Sequence, residues 1–395
     1  NAKGTRYNAL HMSFDTLVVG GGPAGLYTAW RLAKAGFAVV LCEEHDQVGQ
    51  PVHCTGVVSA DSFDEFTLPR ETILNPLTTV RFVSPSGLQV KYSPPSLEAV
   101  VIDRPAFDRR LAAQAAAAGA EIRLKTRVSR LEFTRTGVRA IAGASTLTAR
   151  LAVLASGAAY HLQRSVGLGV PGSFLHTAQR ELPATSLGDV EVHFGGTVAP
   201  GGFAWAVPVD RPEGPHVRVG VMATHRAPGW YDAMVDRLIP RWGIRRDGER
   251  PRLKFLPLRA LQRTYADRLL VVGDAAGLVK PTTGGGIYYS ILSAALAADV
   301  GEAALQCDRL QAWALRPYQT RWRRRLSREL RAQSALRSIA QRMSDRQIDA
   351  LFELALTDGV MPIVTRTASF NHHRPLIHAL LRHAPARRIF WPART

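Results

Sequence analysis

Three glycines at positions 20, 22 and 25 constrain this chain more than any other feature, because they form G-x-G-x-x-G between an apolar run (14–20) and a helix-like stretch (23–35). In the helix-like stretch Leu26, Ala29, Trp30 and Ala33 share one face, and a second apolar run follows at 37–42. Strand, helix and strand joined this tightly predict a parallel, doubly wound sheet. Each glycine has a separate task. Gly20 permits a tight turn, Gly22 lets backbone approach a pyrophosphate, and Gly25 allows close helix–strand contact, while the helix N-terminus offers unpaired N–H groups. Glu43 stands 18 residues past Gly25, at the end of the next run, where a carboxylate accepts hydrogen bonds from ribose hydroxyls. A dinucleotide is the ligand this pattern predicts.

A second constellation spans Leu269-Leu270-Val271-Val272-Gly273-Asp274-Ala275-Ala276-Gly277, then Pro281-Thr282-Thr283-Gly284-Gly285-Gly286-Ile287. It sets an acid at a strand end, beside a ribityl chain, and aims the positive end of a helix at a flavin ring. FAD is therefore the expected cofactor. Gly273, Asp274 and Gly285 join Gly20, Gly22, Gly25 and Glu43 as its expected binding residues.

The 395 residues are 46% apolar and 21% charged, the usage of ordinary globular chains, with room for two or three subdomains. The expected class is α/β. A discontinuous FAD domain takes 12–60, 97–165 and 264–312, a β-rich substrate domain takes 61–96 and 166–263, and a helical region takes 313–395. In the last, Tyr318, Trp322, Leu326 and Leu330 form an apolar face beneath Arg321, Arg323, Arg324, Arg325 and Arg328. The basic segment 372–394 is expected to seek a surface. Residues 1–11 lack an initiating Met and a signal pattern, and are expected to be an appended remnant before native sequence starting near Met12.

Charge and cysteine usage narrow the setting. Fifty Lys and Arg against 32 acids give +18, and only six of the fifty are Lys. This suits anionic lipid or a diphosphate, whereas nucleic acid is not expected because no reader fold or aromatic-interleaved basic motif is present. No apolar stretch reaches the ~18 residues that span a bilayer; the best, 292–305, is broken by Asp299 and Glu302. Three cysteines build no disulfide framework, so the expected location is cytoplasmic, with peripheral contact at an anionic membrane. Cys42 reads as core and Cys307 as packing, while Cys54 reads as functional on its loop. Histidines and cysteines lack the spacing of a metal site, and no G-x-S-x-G elbow supports hydrolysis.

From Met12 to about Met343 the chain resembles the geranylgeranyl reductase family of FAD enzymes, which share the p-hydroxybenzoate hydroxylase fold. The likeness rests on both glycine stretches, on Pro51-Val52-His53-Cys54-Thr55-Gly56, on Asp103-Arg104 before an Ala-rich helix, and on Phe203-Ala204-Trp205-Ala206-Val207-Pro208. It implies FAD contacts from Ala24, Glu43, Cys54, Thr55, Val57, Arg104, Val128, Asp274, Gly286 and Ile287. Phe203 and Trp205 fall on the aromatic positions of a Tyr-x-Trp-x-Phe-Pro signature and are implied to line a prenyl site. Here the signature's Tyr is Phe203 and its Phe is Val207, and Ala155-Ser156-Gly157 stands where related hydroxylases carry Asp-Gly.

The activity so implied is saturation of C=C bonds in a prenyl chain, carried by a lipid or a diphosphate. An isolated alkene offers no electron sink, so hydride delivery from reduced flavin must be accompanied by protonation. Cys54, Phe203 and Trp205 are the expected substrate-pocket residues, and the sequence names no proton donor. The expected electron source is NADPH or a small redox protein. Two other readings stand beside this one: a monooxygenase or halogenase of the same fold acting on a small aromatic, and a basic membrane-surface binding protein.

Overall fold

Phe14–Val19 and Val39–Cys42 pair in parallel, Val19 opposite Cys42, on either side of the helix Pro23–Lys34. Val39–Cys42 is buried throughout, as befits a strand covered on both faces. The helix begins with Pro in its first turn and carries Arg31 and Lys34 in its last, both favourable ends. The computed structural model describes residues 14–357 and 359–391; the expectations for residues 1–11 and for 392–395 lie outside the described residues.

Among the described residues, three sheets form. The first runs Tyr265–Ala266, Leu269–Val271, Ser145–Leu154, Phe14–Val19, Val39–Cys42, Glu121–Arg123, with Arg130–Phe133 and Val138–Ala142 added beside Ser145–Leu154. Its central strands are parallel. Val128 precedes the strand Arg130–Phe133 and is buried in the same core. The helix Ile287–Gln306 is apolar nearly all round and lies in that core, with Tyr289 fully buried.

The second sheet runs Arg252–Pro257, Phe174–Pro183, Gly214–Ala223, Phe203–Arg211, Val190–His193, Val80–Val83, Gln89–Tyr92. Its pairings are antiparallel except Val190–His193 with Val80–Val83. Alternation along each strand gives it two faces. The outer face carries Ala178, Ala204, Val219 and Val221 against the helix Ala227–Trp242, while the inner face carries Leu175, Trp205, Val207 and Met222. Ile73–Leu77, from the stretch assigned to the substrate unit, pairs instead with Ala99–Ile102, which also pairs with Val57–Ser59.

A partly buried ion cluster fastens the second sheet to the rest. Arg218 binds Glu181 at 2.7 Å and donates to the carbonyls of Thr55 (2.6 Å) and Ile102 (3.0 Å), while Arg211 bridges Glu181 and Asp103. The long helix Ala312–Ala340 packs Leu315, Tyr318, Trp322 and Leu326 onto the first core, and the Tyr318 hydroxyl donates to the Val271 carbonyl at 2.7 Å. Four shorter helices follow: Asp345–Thr357, Val360–Thr367, Arg374–Arg382 and Ala384–Phe390. Cys307, expected to pack, is exposed, because it caps the helix Ile287–Gln306 where the chain leaves the core.

Candidate functional site

The two glycine stretches converge at the C-terminal ends of the parallel strands. Gly20 has φ +110° and runs so close to the Ala155 carbonyl that a Cβ would overlap it; a Cβ on Gly25 would overlap the Gly20 carbonyl. Gly273 donates its N–H to Ser293 Oγ at 3.0 Å, and a Cβ there would stand 3.2 Å from the Cβ of Ala24. The second motif thus lies directly on the first. Asp274 opens the turn Gly273–Ala276, and one of its oxygens is 2.9 Å from where a Gly286 side chain would begin. Ile287 is the first, buried residue of the following helix.

This cradle fits a dinucleotide. Gly22 caps the helix Pro23–Lys34 with no side-chain hydrogen bond and no acid in the first turn, and a Cβ on Gly22 would meet no protein atom within 4 Å. Its amides therefore face open space, as an anion-binding helix start requires. Glu43 is buried, with Oε2 accepting Gly21 N–H at 2.6 Å and Oε1 accepting His45 N–H at 3.0 Å. His45 Nδ1 also lies 2.5 Å from Oε1, leaving one free lone-pair direction on Oε2 for a hydroxyl. The cleft is cationic. Burial holds the His53 imidazole below its ordinary value, and Lys254, Arg252, His45 and Arg104 lower it further.

Cys54, Thr55, Val57 and Arg104 sit where the first core meets the second sheet. Cys54 is half-buried, with Sγ accepting Gly56 N–H at 3.3 Å. Thr55 donates its hydroxyl to Gln179 on the sheet at 2.8 Å, and Val57 pairs with Val101. Arg104 forms a fork with Asp108, at 3.0 and 2.9 Å. The guanidinium is also engaged by the Cys54 thiol, so Asp108 and Cys54 together fix the side chain that the resemblance implies contacts FAD.

Phe203 and Trp205 lie on the inner face of the sheet, rings 5.8 Å apart and edge to face. Phe194 bridges Phe203 and Phe352, with 6.1 Å between centroids on each side. The indole packs over Gly220, where a side chain would overlap it, and Nε1 has no partner among the described residues. Tyr160 Oη is likewise buried without a partner; burial pushes its phenol up, and the Asp274 carboxylate adds to this. Gly284 joins the two halves of the site: a Cβ there would stand 2.8 Å from Leu256 and 3.3 Å from Met222, both on the inner face.

Several residues here carry no motif. Met222, Leu256 and Phe352 were recognisable only as strand or helix apolars, and Phe194 only as an apolar residue just past a strand end. Lys254 and Lys280 are less ordinary, since lysine is rare in this chain. Lys280 is buried, its ammonium donating to the Phe370 carbonyl (2.5 Å) and Asn371 Oδ1 (2.9 Å), so residues 370–371 are tied to the glycine-triplet loop. A shallow 450 Å³ depression lined by Tyr231, Val235 and Leu253 lies on the outer face, away from these turns.

Comparison with known proteins agrees with this geometry. Residues 18–65 match the family described as "NAD(P)-binding Rossmann-like domain". Digeranylgeranylglycerophospholipid reductase of Methanocaldococcus jannaschii is 30% identical over 356 residues, covering 86% of this chain and 90% of that protein. A geranylgeranyl bacteriochlorophyll reductase-like protein from Thermoplasma acidophilum superposes with a TM-score of 0.82 at 22% identity, over 95% of this chain and 97% of that one. Halogenase PltM, solved with phloroglucinol and FAD, superposes with a TM-score of 0.67 at 15% identity over 95% of this chain and 85% of that one, a likeness of fold.

Proposed function

The chain belongs to the geranylgeranyl reductase family of FAD-dependent oxidoreductases, and from that premise we propose that it saturates C=C bonds in the prenyl chains of a geranylgeranyl-type lipid. The observation that carries the substrate class is the meeting of Gly284 with Met222 and Leu256: the glycine-triplet turn opens directly onto an apolar, aromatic-lined sheet face. Such a surface suits a long hydrocarbon and gives a small polar aromatic few directional partners.

When bound and reduced, FAD supplies the hydride. The chain's residues do the rest. Gly20, Gly22, Ala24 and Gly25 hold the diphosphate, Glu43 orients a ribose, and Gly273, Asp274, Gly285, Gly286 and Ile287 hold the flavin end. Cys54, Thr55, Val57, Arg104 and Val128 complete the cofactor's surroundings. Phe203 and Trp205 position the alkene and exclude water, which keeps proton delivery under the protein's control. Electrons enter from NADPH or a small redox protein.

A lipid-borne substrate calls for access to a membrane surface. No helix of the described residues is long and apolar enough to cross one. The helix Ala312–Ala340 offers a surface contact instead: its lone acid, Glu329, is buried, Trp313 is 64% exposed, and Arg316, Arg321, Arg324, Arg328 and Arg331 make no ion pair among the described residues. Such a face attracts anionic headgroups.

The test is mass spectrometry of a digeranylgeranylglyceryl phospholipid incubated with dithionite-reduced, FAD-loaded protein. Gain of one H2 per reduced double bond supports the reading. An unchanged lipid alongside hydroxylation or halogenation of a small aromatic in air overturns it.

A further inference from the structure

Of the five described lysines, Lys34, Lys91 and Lys125 are exposed, whereas Lys254 reaches Asp274 and Lys280 is buried at the start of the glycine-triplet loop. Lys254 comes from the opposite side of the cleft. It stands on the edge strand Arg252–Pro257, opposite Thr177, whose hydroxyl fixes its backbone by donating to the Lys254 carbonyl at 3.0 Å. Its neighbours Leu253 and Phe255 point to the outer face, so the pleat turns Lys254 inward. There its ammonium lies 2.7 Å from Asp274 Oδ2.

Asp274 is a carboxylate pressed against the start of the helix Ile287–Gln306, with its other oxygen beside Gly286. The side chains of the pair are 28% and 15% exposed, partly removed from solvent screening. A bare carboxylate at this turn would oppose the gain of negative charge by a cofactor held there. An ammonium on that carboxylate cancels the opposition. Lysine suits the task because its charge is compact, whereas a guanidinium spreads over a planar fork.

We propose that Lys254 is a positioning residue for cofactor reduction: by neutralising Asp274 from the inner face of the second sheet, it raises the flavin's reduction potential. This rests on the FAD reading above.

The test compares FAD-loaded wild type, Lys254→Met and Lys254→Arg by equilibrium titration of flavin reduction against reference dyes. Lys254→Met is expected to disfavour reduction about tenfold, a shift of roughly 30 mV towards negative potential for a two-electron couple. Lys254→Arg, which keeps the charge, is expected to recover most of that shift. Equal potentials for wild type and Lys254→Met overturn the proposal, and so does an Arg variant that falls as far as Met. Flavin content measured alongside separates the two levels: a wild type that takes up no FAD overturns the underlying reading, whereas normal uptake with unmoved potentials overturns the role of Lys254 alone.

Discussion

Gly25 packs so tightly under Gly20 that a single methyl group on Gly25 would occupy the space of the Gly20 carbonyl oxygen. Gly22, three residues earlier, has open space at the same point. The motif's glycines therefore divide into one that serves the fold and one that serves a ligand. Gly25→Ala is expected to destabilise the protein by about 1–3 kcal/mol through overpacking, with loss of flavin. Gly22→Ala is expected to keep the wild-type melting temperature while flavin content falls severalfold. Thermal unfolding read beside flavin absorbance separates the two.

The Trp205 indole spreads over Gly220 and leaves Nε1 without a partner. Trp205→Ala should raise KM for the prenyl lipid about tenfold, equivalent to ~1.4 kcal/mol of lost contact, and leave FAD content unchanged. Steady-state kinetics with a flavin assay checks this; parallel loss of FAD would move Trp205 out of the substrate wall.

Arg218 is 6% exposed and holds Glu181 together with two carbonyls across the junction of sheet and core. Arg218→Met leaves Glu181 to Arg211 alone and removes the donor to both carbonyls, for which a cost of about 1–3 kcal/mol is expected. Denaturant titration measures it.

His373 lies in the strap over the glycine-triplet loop, its Nε2 3.1 Å from the Phe370 carbonyl and its Nδ1 2.7 Å from the Thr282 hydroxyl. Burial lowers its pKa to about 4, with the Lys280 ammonium adding to the effect. The unfolded chain then takes up a proton before the folded one, so stability is full above pH ~6.5 and is lost as pH falls towards ~4. His373→Gln should flatten this part of the acid profile, as measured by melting temperature across pH 4–7.

The parallel layer was legible in the sequence because burial on both faces leaves unbroken apolar runs, and because Gly20 and Gly25 are required by close backbone approach. Asp274 and the glycine triplet were legible for the same reason. Lys254 was not. Its strand reads Arg-Leu-Lys-Phe-Leu-Pro, and the large apolars Leu253 and Phe255 are more than half exposed, so apolar alternation points away from the site. Lys280 was hidden for another reason: its partners Phe370 and Asn371 lie 90 and 91 residues along the chain. Contacts fixed by docking of separate units leave no periodic trace.

The most direct measurement mixes the reduced, FAD-loaded protein with digeranylgeranylglyceryl phospholipid in the strict absence of oxygen and follows the flavin spectrum. The account predicts that oxidised flavin returns in proportion to the double bonds saturated. Flavin that stays reduced with the lipid, and reoxidises only when oxygen is admitted, would contradict it.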